Sequence, residues 1–215
     1  MVLLQVRQLH VPPGQRLLLE DIGWDEFEAI LDDLGEHRAT RIAFDGGTLE
    51  IMAPLPWHED EKEIISDLIK VLLEELDINF RALGSTTFKN QTMLKGIEPD
   101  QCFYIANEAA IRGKQRLDLS VDPPPDLALE IDITSRTHPK TYAALGVPEL
   151  WRREGKILKI YHLVSGEYVE ASTSLNFPDW PLQTEIPQRL QQSLSEGRNT
   201  AVRGFRRWVR ERLDA

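Results

Sequence analysis

The segment DLALEIDITS, residues 126–135, constrains the fold more than any other part of the sequence. Apolar side chains occupy every second position in it, at Leu127, Leu129, Ile131 and Ile133. A period of two predicts a β-strand with one apolar face. The other face carries Asp126, Ala128, Glu130 and Asp132. The sequence therefore predicts a strand that presents acids from a segment otherwise typical of a protein core.

Helical and strand patterns alternate around this segment. The strongest helix is predicted for residues 57–77, where Ile64, Leu68 and Leu72 fall on one line and acids crowd the first turns. The other predicted elements are a helix ending at Gly35, hairpins turning near residues 45–47 and 154–155, strands around 78–83, 86–94, 100–105 and 166–172, and a short helix ending at Gly146. This order predicts an α/β protein, more closely an α+β mixed sheet flanked by helices. We expect one domain over residues 1–215, built on one central sheet, with C-terminal helices of about 186–213 packed on it.

Net charge, the cysteine count and the length of apolar runs limit the classes of protein to which this chain can belong. The net charge of −10 argues against a surface that is basic throughout for nucleic-acid binding, but it allows a local basic patch or an acidic metal site. Cys102 is the single cysteine, so no intrachain disulfide forms and a reducing compartment is expected. No run approaches the roughly 20 apolar residues of a membrane span. We expect a cytoplasmic protein with no membrane partner.

The acids of the strand need a partner. Glu130 and Asp132 project from the same face, with their Cα atoms roughly 7 Å apart. Repulsion between them must be relieved by basic neighbours, by open solvent or by a divalent cation. Pro99-Asp100 opens an apolar strand upstream, and if that strand pairs with 126–133, then Asp100 joins the other two acids. Such a cluster can hold Mg²⁺ for phosphodiester cleavage, whereas the plainer alternative is a solvated strand edge and a turn aspartate.

Four sequence blocks in order carry a resemblance: GGTLEIMAPLPWH, EPDQCFYI, EIDITS and YAALGVPELWR, within residues 40–165. They resemble the Uma2-like restriction endonucleases common in cyanobacteria, a family of the PD-(D/E)XK nuclease superfamily. The resemblance implies a restriction-endonuclease-like fold and a Mg²⁺-dependent DNA endonuclease in which Mn²⁺ can replace Mg²⁺. It also implies that Asp100 and Glu130 are metal ligands, and we include Asp132 as a third.

The sequence departs from the superfamily pattern at Asp132, which stands where a lysine usually activates water and stabilises the phosphate. Lys140, at the start of the short helix, is the best replacement for that catalytic lysine. Weaker candidates for the cation are Lys114, Lys95 and Lys89. Acids of the long helix, Glu63 or Glu59, are candidates for a further ligand, and His58 lies just before that helix.

Two functions other than a nuclease remain open from the sequence. The first is a catalytically degenerate protein of the same fold that binds nucleic acid or protein. The second is a metal-dependent hydrolase of small phosphoesters.

The basic C-terminal segment, residues 198–215, either packs its apolar stripe on the body beside acidic neighbours, which we favour, or follows a phosphate backbone. A homodimer is expected, because cutting two DNA strands needs two sites.

Overall fold

The computed structural model describes residues 6–35, 39–131 and 138–215. Its helices are α1 Trp24–Leu34, α2 Pro56–Glu75, α3 Glu108–Ile111, α4 His138–Ala144, α5 Leu182–Glu196 and α6 Arg198–Leu213. Its strands are β1 Arg16–Leu19, β2 Arg41–Asp45, β3 Thr48–Met52, β4 Arg81–Ala82, β5 Phe88–Asn90, β6 Lys95–Ile97, β7 Gln101–Tyr104, β8 Leu127–Ile131, β9 Glu149–Glu154, β10 Ile157–Val164 and β11 Glu167–Ala171. The predicted α+β class and the order of elements are confirmed.

The strands form two sheets rather than the one central sheet that we expected from the sequence. The small sheet has the order β1-β3-β2-β6-β5, and the large sheet has the order β11-β10-β9-β8-β7-β4. After β4 has joined the large sheet, β5 and β6 return to the small sheet, and the chain passes finally to the large sheet between β6 and β7, at Glu98-Pro99-Asp100. Because proline has no N–H to give to a strand ladder, Pro99 ends one ladder and allows the next strand to join another sheet.

Strand β8 is the acidic strand of the sequence analysis, and it lies inside the large sheet. It pairs antiparallel with β7 and parallel with β9. All five of its residues are buried, so both of its faces are covered. Leu127, Leu129 and Ile131 face one core with α2, α5 and α6, whereas Ala128 faces a second core toward the small sheet and α4. Because side chains alternate, Glu130 also points toward the small sheet.

The C-terminal helices cover the first of these cores. Phe205 and Val209 of α6 pack with the α2 stripe, and α5 lies beside them. The arginines of α6 pair with acids of α2: Arg206 donates to Glu75 at 2.5 Å and Arg210 donates to the same carboxylate at 2.8 Å. The interpretation of this basic segment as a packed helix beside acidic neighbours is confirmed. No helix among the described residues is long and apolar enough to cross a membrane.

Candidate functional site

A pocket lies between the two sheets, at the Glu130 end of β8. Its walls come from β2, β3, the β6–β7 connection and β8, and it is lined by Arg41, Ile42, Ala43, Glu50, Met52, Glu98, Asp100 and Glu130. The cavity volume is about 10 Å³, which is room for about one water molecule or a small ion. Four carboxylates and one guanidinium therefore face a very small space.

Asp100 and Glu130 form a carboxyl pair in this pocket. Both residues are buried, and their carboxyl groups are hydrogen-bonded to each other. Burial raises the pKa of Asp100, and burial together with the neighbouring Asp100 charge raises the pKa of Glu130 well above its usual range. Two adjacent carboxylates cannot both ionise at low cost in such surroundings. The pair therefore favours holding a proton or binding a cation over carrying two unpaired charges.

Backbone and helix contacts fix the position of each carboxyl group. The backbone N–H of Ile131 donates to Asp100 Oδ2 at 2.8 Å. The Tyr142 hydroxyl donates to Glu130 Oε1, and Tyr142 is fully buried on α4. Desolvation and the nearby Glu130 raise the pKa of this phenol, so it stays a hydrogen-bond donor at neutral pH. The pair is thus anchored by the β7–β8 ladder and by the helix that follows β8.

Arg41, at the start of β2, supplies the positive charge in the pocket lining. Its Nη2 donates to Glu59 Oε1 at 2.9 Å, and Lys62 Nζ donates to Glu59 Oε2. The Arg41 charge opposes the rise of the Asp100 pKa, whereas the Glu59 charge adds to it. Glu59, one of the two helix acids that we considered from the sequence, contacts Arg41 but is not among the residues that line the pocket.

The two remaining pocket acids also serve the structure of the small sheet. Glu98 Oε2 accepts a hydrogen bond from the Ile42 backbone N–H at 3.2 Å, which ties the β6–β7 connection to β2. Glu50 of β3 forms an ion pair with Arg16 of β1 at 3.6 Å. Both are buried beside Asp100 and Glu130, so a cation in the pocket would meet more negative charge than the pair alone provides.

Strand β9 places a second arginine beside Glu130. The register aligns Glu130 with Arg152 of the parallel neighbour, and the Arg152 charge lowers the pKa of Glu130 against the larger effect of burial. Arg152 is itself occupied, because it pairs with Glu154 at 3.1 Å and lies over the Tyr161 ring at 5.9 Å. Arg152 flanks the pair without lining the pocket.

The structure brings only some of the site residues predicted from the sequence into the pocket. Asp100 and Glu130 lie together, whereas Asp132 lies outside the described residues. Lys140 is exposed on α4 and is not among the residues that line the pocket. The weaker lysine candidates pair elsewhere: Lys89 with Glu28, Lys95 with Asp45 and Lys114 with Asp122.

Two further helix residues that we considered lie near α2's beginning. Glu63 is largely exposed and pairs with Lys62 at 3.2 Å. The His58 ring lies edge-on to Trp57, with centroids 3.9 Å apart. Neither lines the pocket.

Sequence reasoning missed Glu50, Glu98, Arg41 and Tyr142. Glu50 carried a usable signal, since LEIM places an acid between apolar residues at period two, as in β8. Glu98 stands directly before the Pro99-Asp100 pair. Arg41 and Tyr142 carried no such signal, because their contacts with Glu59 and Glu130 span 18 and 12 residues and depend on tertiary packing.

The donor set fits a hard divalent cation. Within the described ranges no three His, Cys, Asp or Glu side chains are arranged to hold a metal ion. Two carboxylates suffice for Mg²⁺, however, because this ion keeps several waters and takes substrate phosphates as its other ligands. A cation beside Asp100 and Glu130 would relieve the repulsion between their ionised carboxyl groups. The carboxyl pair is therefore the part of the pocket suited to a metal.

The fold is that of the restriction-endonuclease-like class of nucleases. A solved structure that matches the chain is that of a "putative nuclease belonging to DUF820" from Anabaena variabilis ATCC 29413. The two superpose with a TM-score of 0.50 at 17% sequence identity, over 75% of this chain and 90% of the other. At this identity the likeness establishes the fold alone.

The sequence itself supplies the family. Residues 24–195 match the family model Uma2, described as "Putative restriction endonuclease". Because this match spans most of the chain, the protein belongs to the Uma2 family, and the resemblance drawn from its sequence blocks is confirmed. A search of the curated proteins finds no match.

Proposed function

We propose that this protein is a Mg²⁺-dependent endonuclease, with Mn²⁺ as an alternative metal, that hydrolyses phosphodiester bonds of DNA at the pocket between its sheets. The observation that carries the proposal is the buried carboxyl pair Asp100–Glu130, which lines the pocket. A buried like-charge pair is costly to maintain, and such cost is typical of functional sites. Membership of the Uma2 family and the nuclease fold support the same reaction class.

Asp100 and Glu130 would hold the metal, whose bound state supplies Lewis acidity and lowers the pKa of a coordinated water. Ile131 N–H and the Tyr142 hydroxyl orient the two carboxylates, and the surrounding apolar packing limits access of bulk water. Hydrolysis forms one P–O bond from water and breaks one P–O ester bond. One water proton ends on the leaving alkoxide, and the other is released from the new phosphate monoester.

Two site residues from the sequence remain proposals. We retain Asp132 as a third metal ligand, because it lies two residues beyond Glu130 on the same predicted strand face. We retain Lys140 as a candidate water-activating cation, although it would have to turn toward the pocket from an exposed position on α4. DNA as substrate, a homodimer and a cytoplasmic location are likewise proposals.

The test combines metal binding with cleavage. We would titrate Mn²⁺ and Mg²⁺ into the wild type, Asp100→Asn and Glu130→Gln by calorimetry, and incubate each with supercoiled plasmid. Asp33→Asn, an exposed acid of α1, is the matched control. Metal binding and cleavage in the wild type and control, with loss of both in the two pocket variants, is the expected result. A wild type that binds no metal at millimolar concentration contradicts the proposal.

A second candidate is a catalytically degenerate nuclease fold that acts as a binding module. It is favoured by one observation: no lysine is present among the described residues that line the pocket. This candidate predicts that the wild type binds DNA or a protein partner but does not cleave plasmid with either metal. Size-exclusion chromatography with light scattering on the same samples tests the homodimer.

A further inference from the structure

A cationic side chain near the scissile phosphate stabilises the charge that develops during phosphodiester hydrolysis, in addition to the metal. The usual motif position holds Asp132, which cannot supply that charge. Of the described residues that line the pocket, Arg41 alone is cationic. It reaches the pocket from β2 of the small sheet, whereas Asp100 lies in the β6–β7 connection and Glu130 lies on β8 of the large sheet.

The Arg41 guanidinium is oriented and has donor capacity to spare. Its side chain is 13% exposed, and one nitrogen, Nη2, bonds to Glu59. Its Nε is buried, and within the described residues it has no hydrogen-bond partner. A buried N–H without a partner costs free energy that a bound acceptor would recover. A phosphate oxygen is a suitable acceptor, since the planar guanidinium fork matches phosphate geometry.

The neighbouring cations are committed to other partners. Lys62 pairs with both Glu59 and Glu63. Arg152 pairs with Glu154, and although its Nε is also buried with no partner among the described residues, it lies outside the pocket lining. The ion pair of Arg41 is with Glu59, and its charge acts on Asp100 at longer range, where it lowers the pKa of that carboxyl group.

We propose that Arg41 contacts the scissile phosphodiester and supplies the charge stabilisation that a motif lysine would otherwise give. This inference rests on the proposed nuclease function and names the phosphate-binding group of the same site. An arginine stays protonated, so Arg41 acts as an electrostatic partner of the phosphate and not as the base that takes a water proton. Glu59 is then the positioning residue that holds the guanidinium from α2.

The test uses Arg41→Gln, Arg41→Lys and the matched control Arg189→Gln. Arg189 has a similarly buried side chain, 19% exposed, and an ion pair with Glu185 on α5. We would measure plasmid cleavage with Mn²⁺, Mn²⁺ affinity by calorimetry, and binding of a short fluorescein-labelled DNA duplex in Ca²⁺ by anisotropy. Circular dichroism melts verify that each variant is folded.

We expect Arg41→Gln to cut with a rate reduced about 100-fold or more, because one electrostatic donor to the developing charge is lost. Duplex binding should weaken several-fold, while Mn²⁺ affinity stays equal or rises, since a nearby positive charge is gone. Arg41→Lys should retain an intermediate rate, because it keeps the charge but loses the planar fork. Arg189→Gln should behave as the wild type.

Cleavage by Arg41→Gln within about twofold of the wild type would overturn the inference while leaving the nuclease function intact. A parallel loss of Mn²⁺ affinity would also overturn it, because Arg41 would then only shape the carboxyl pair. If Arg41→Gln does not fold, unchanged cleavage by Arg41→Lys overturns it instead. A wild type without cleavage removes the proposed function, and this inference with it.

Discussion

Two buried glutamates on adjacent strands of the large sheet, Glu130 on β8 and Glu149 on β9, differ in how their charges are satisfied. Glu149 Oε1 accepts from Trp151 Nε1 at 2.6 Å. Its Oε2 accepts from the backbone N–H groups of Leu175 and Asn176 and from Asn176 Nδ2, at 3.0, 3.2 and 2.7 Å. Glu130 instead faces another carboxyl group, with Tyr142 as its neutral donor.

The same contrast exists within one short segment. Asp126, just before β8, is buried and accepts from Ile105 N, Asn107 N and Asn107 Nδ2 at 2.6, 3.0 and 2.8 Å. It closes the connection between β7 and α3. The acidic row noted in the sequence therefore contains one acid with a structural role and one in the candidate site, while Asp132 lies outside the described residues.

The difference shows that burial by itself does not mark a functional acid. A buried carboxylate surrounded by N–H donors stabilises a loop, because charge-assisted hydrogen bonds offset its desolvation. A buried carboxylate that faces a second carboxyl group keeps a proton or recruits a cation. The same substitution, glutamate to glutamine, should separate these two cases.

Glu149→Gln should have the larger effect on stability. The new amide NH₂ must face either Trp151 Nε1 or the three donors at Oε2, so at least one buried donor loses its acceptor. We expect a loss of about 2–3 kcal/mol, equivalent to about 5–10 °C in Tm. Thermal and urea unfolding measure it, with plasmid cleavage by the folded fraction unchanged. A Tm equal to that of the wild type would contradict the stabilising role that we assign to the Glu149 carboxylate.

Near pH 4, Glu130→Gln should leave the stability of the metal-free protein within about 1 kcal/mol of the wild type, because burial raises the Glu130 pKa and the amide resembles the neutral carboxyl group. The variant should differ once metal is added. Mn²⁺ at about 100 times its Kd should stabilise the wild type by about 2.7 kcal/mol and should leave the variant unchanged. Equal Tm shifts for the two proteins would show that the metal binds elsewhere.

The carboxyl pair also predicts a pH dependence. The folded pKa values of Asp100 and Glu130 are raised above the ordinary carboxyl value of about 4, so the folded state binds more protons than the unfolded state. Their contribution is complete below that ordinary value and is lost as pH rises through the raised values. Without metal, wild-type stability should therefore fall relative to Glu130→Gln as pH rises from about 4. A constant difference between the two proteins across this range would contradict the raised pKa values.

The smallest effect is expected at the α2–α6 contact, where a carboxylate is paired near solvent. Hydrogen bonds from Arg210 and Arg206 lower the pKa of Glu75 to about 2. Its contribution is thus present above the unfolded value and is lost as pH falls toward about 2. Glu75→Gln should slightly lower Tm at pH 7, and the difference from the wild type should narrow on acidification. A difference that widens in acid would show that another group controls this contact.

Much of the local structure could be predicted from the sequence. Periodicity predicted α1, α2 and β8. The pair Gly46-Gly47 predicted the first hairpin turn, and Gly155 predicted the second. The pairing of the strand after Asp100 with β8 was also a correct hypothesis. These features follow from local rules, namely side-chain alternation, helix faces and turn residues, that act over a few residues.

The sheet arrangement and the cationic part of the site were not predictable in the same way. A strand pattern does not say which sheet its strand joins, so one sheet was expected where two exist. Lys140 was the expected replacement for the motif lysine, yet Tyr142 is the α4 residue that contacts Glu130. A helix of known position along the chain can still turn either side chain toward the pocket, and packing against β2 and β6 decides which.

The sequence by itself determined the α+β class, the family and the strand that carries Glu130, because these depend on periodicity and on the order of short blocks. The tertiary structure decided that Asp100 and Glu130 meet as a buried carboxyl pair, that N–H donors satisfy Asp126 and Glu149, and that Arg41 enters the pocket from another sheet. Charge and burial are properties of the space around a side chain. That space is filled by residues distant in sequence, so only the folded chain distinguishes an acid surrounded by N–H donors from one that faces another carboxyl group.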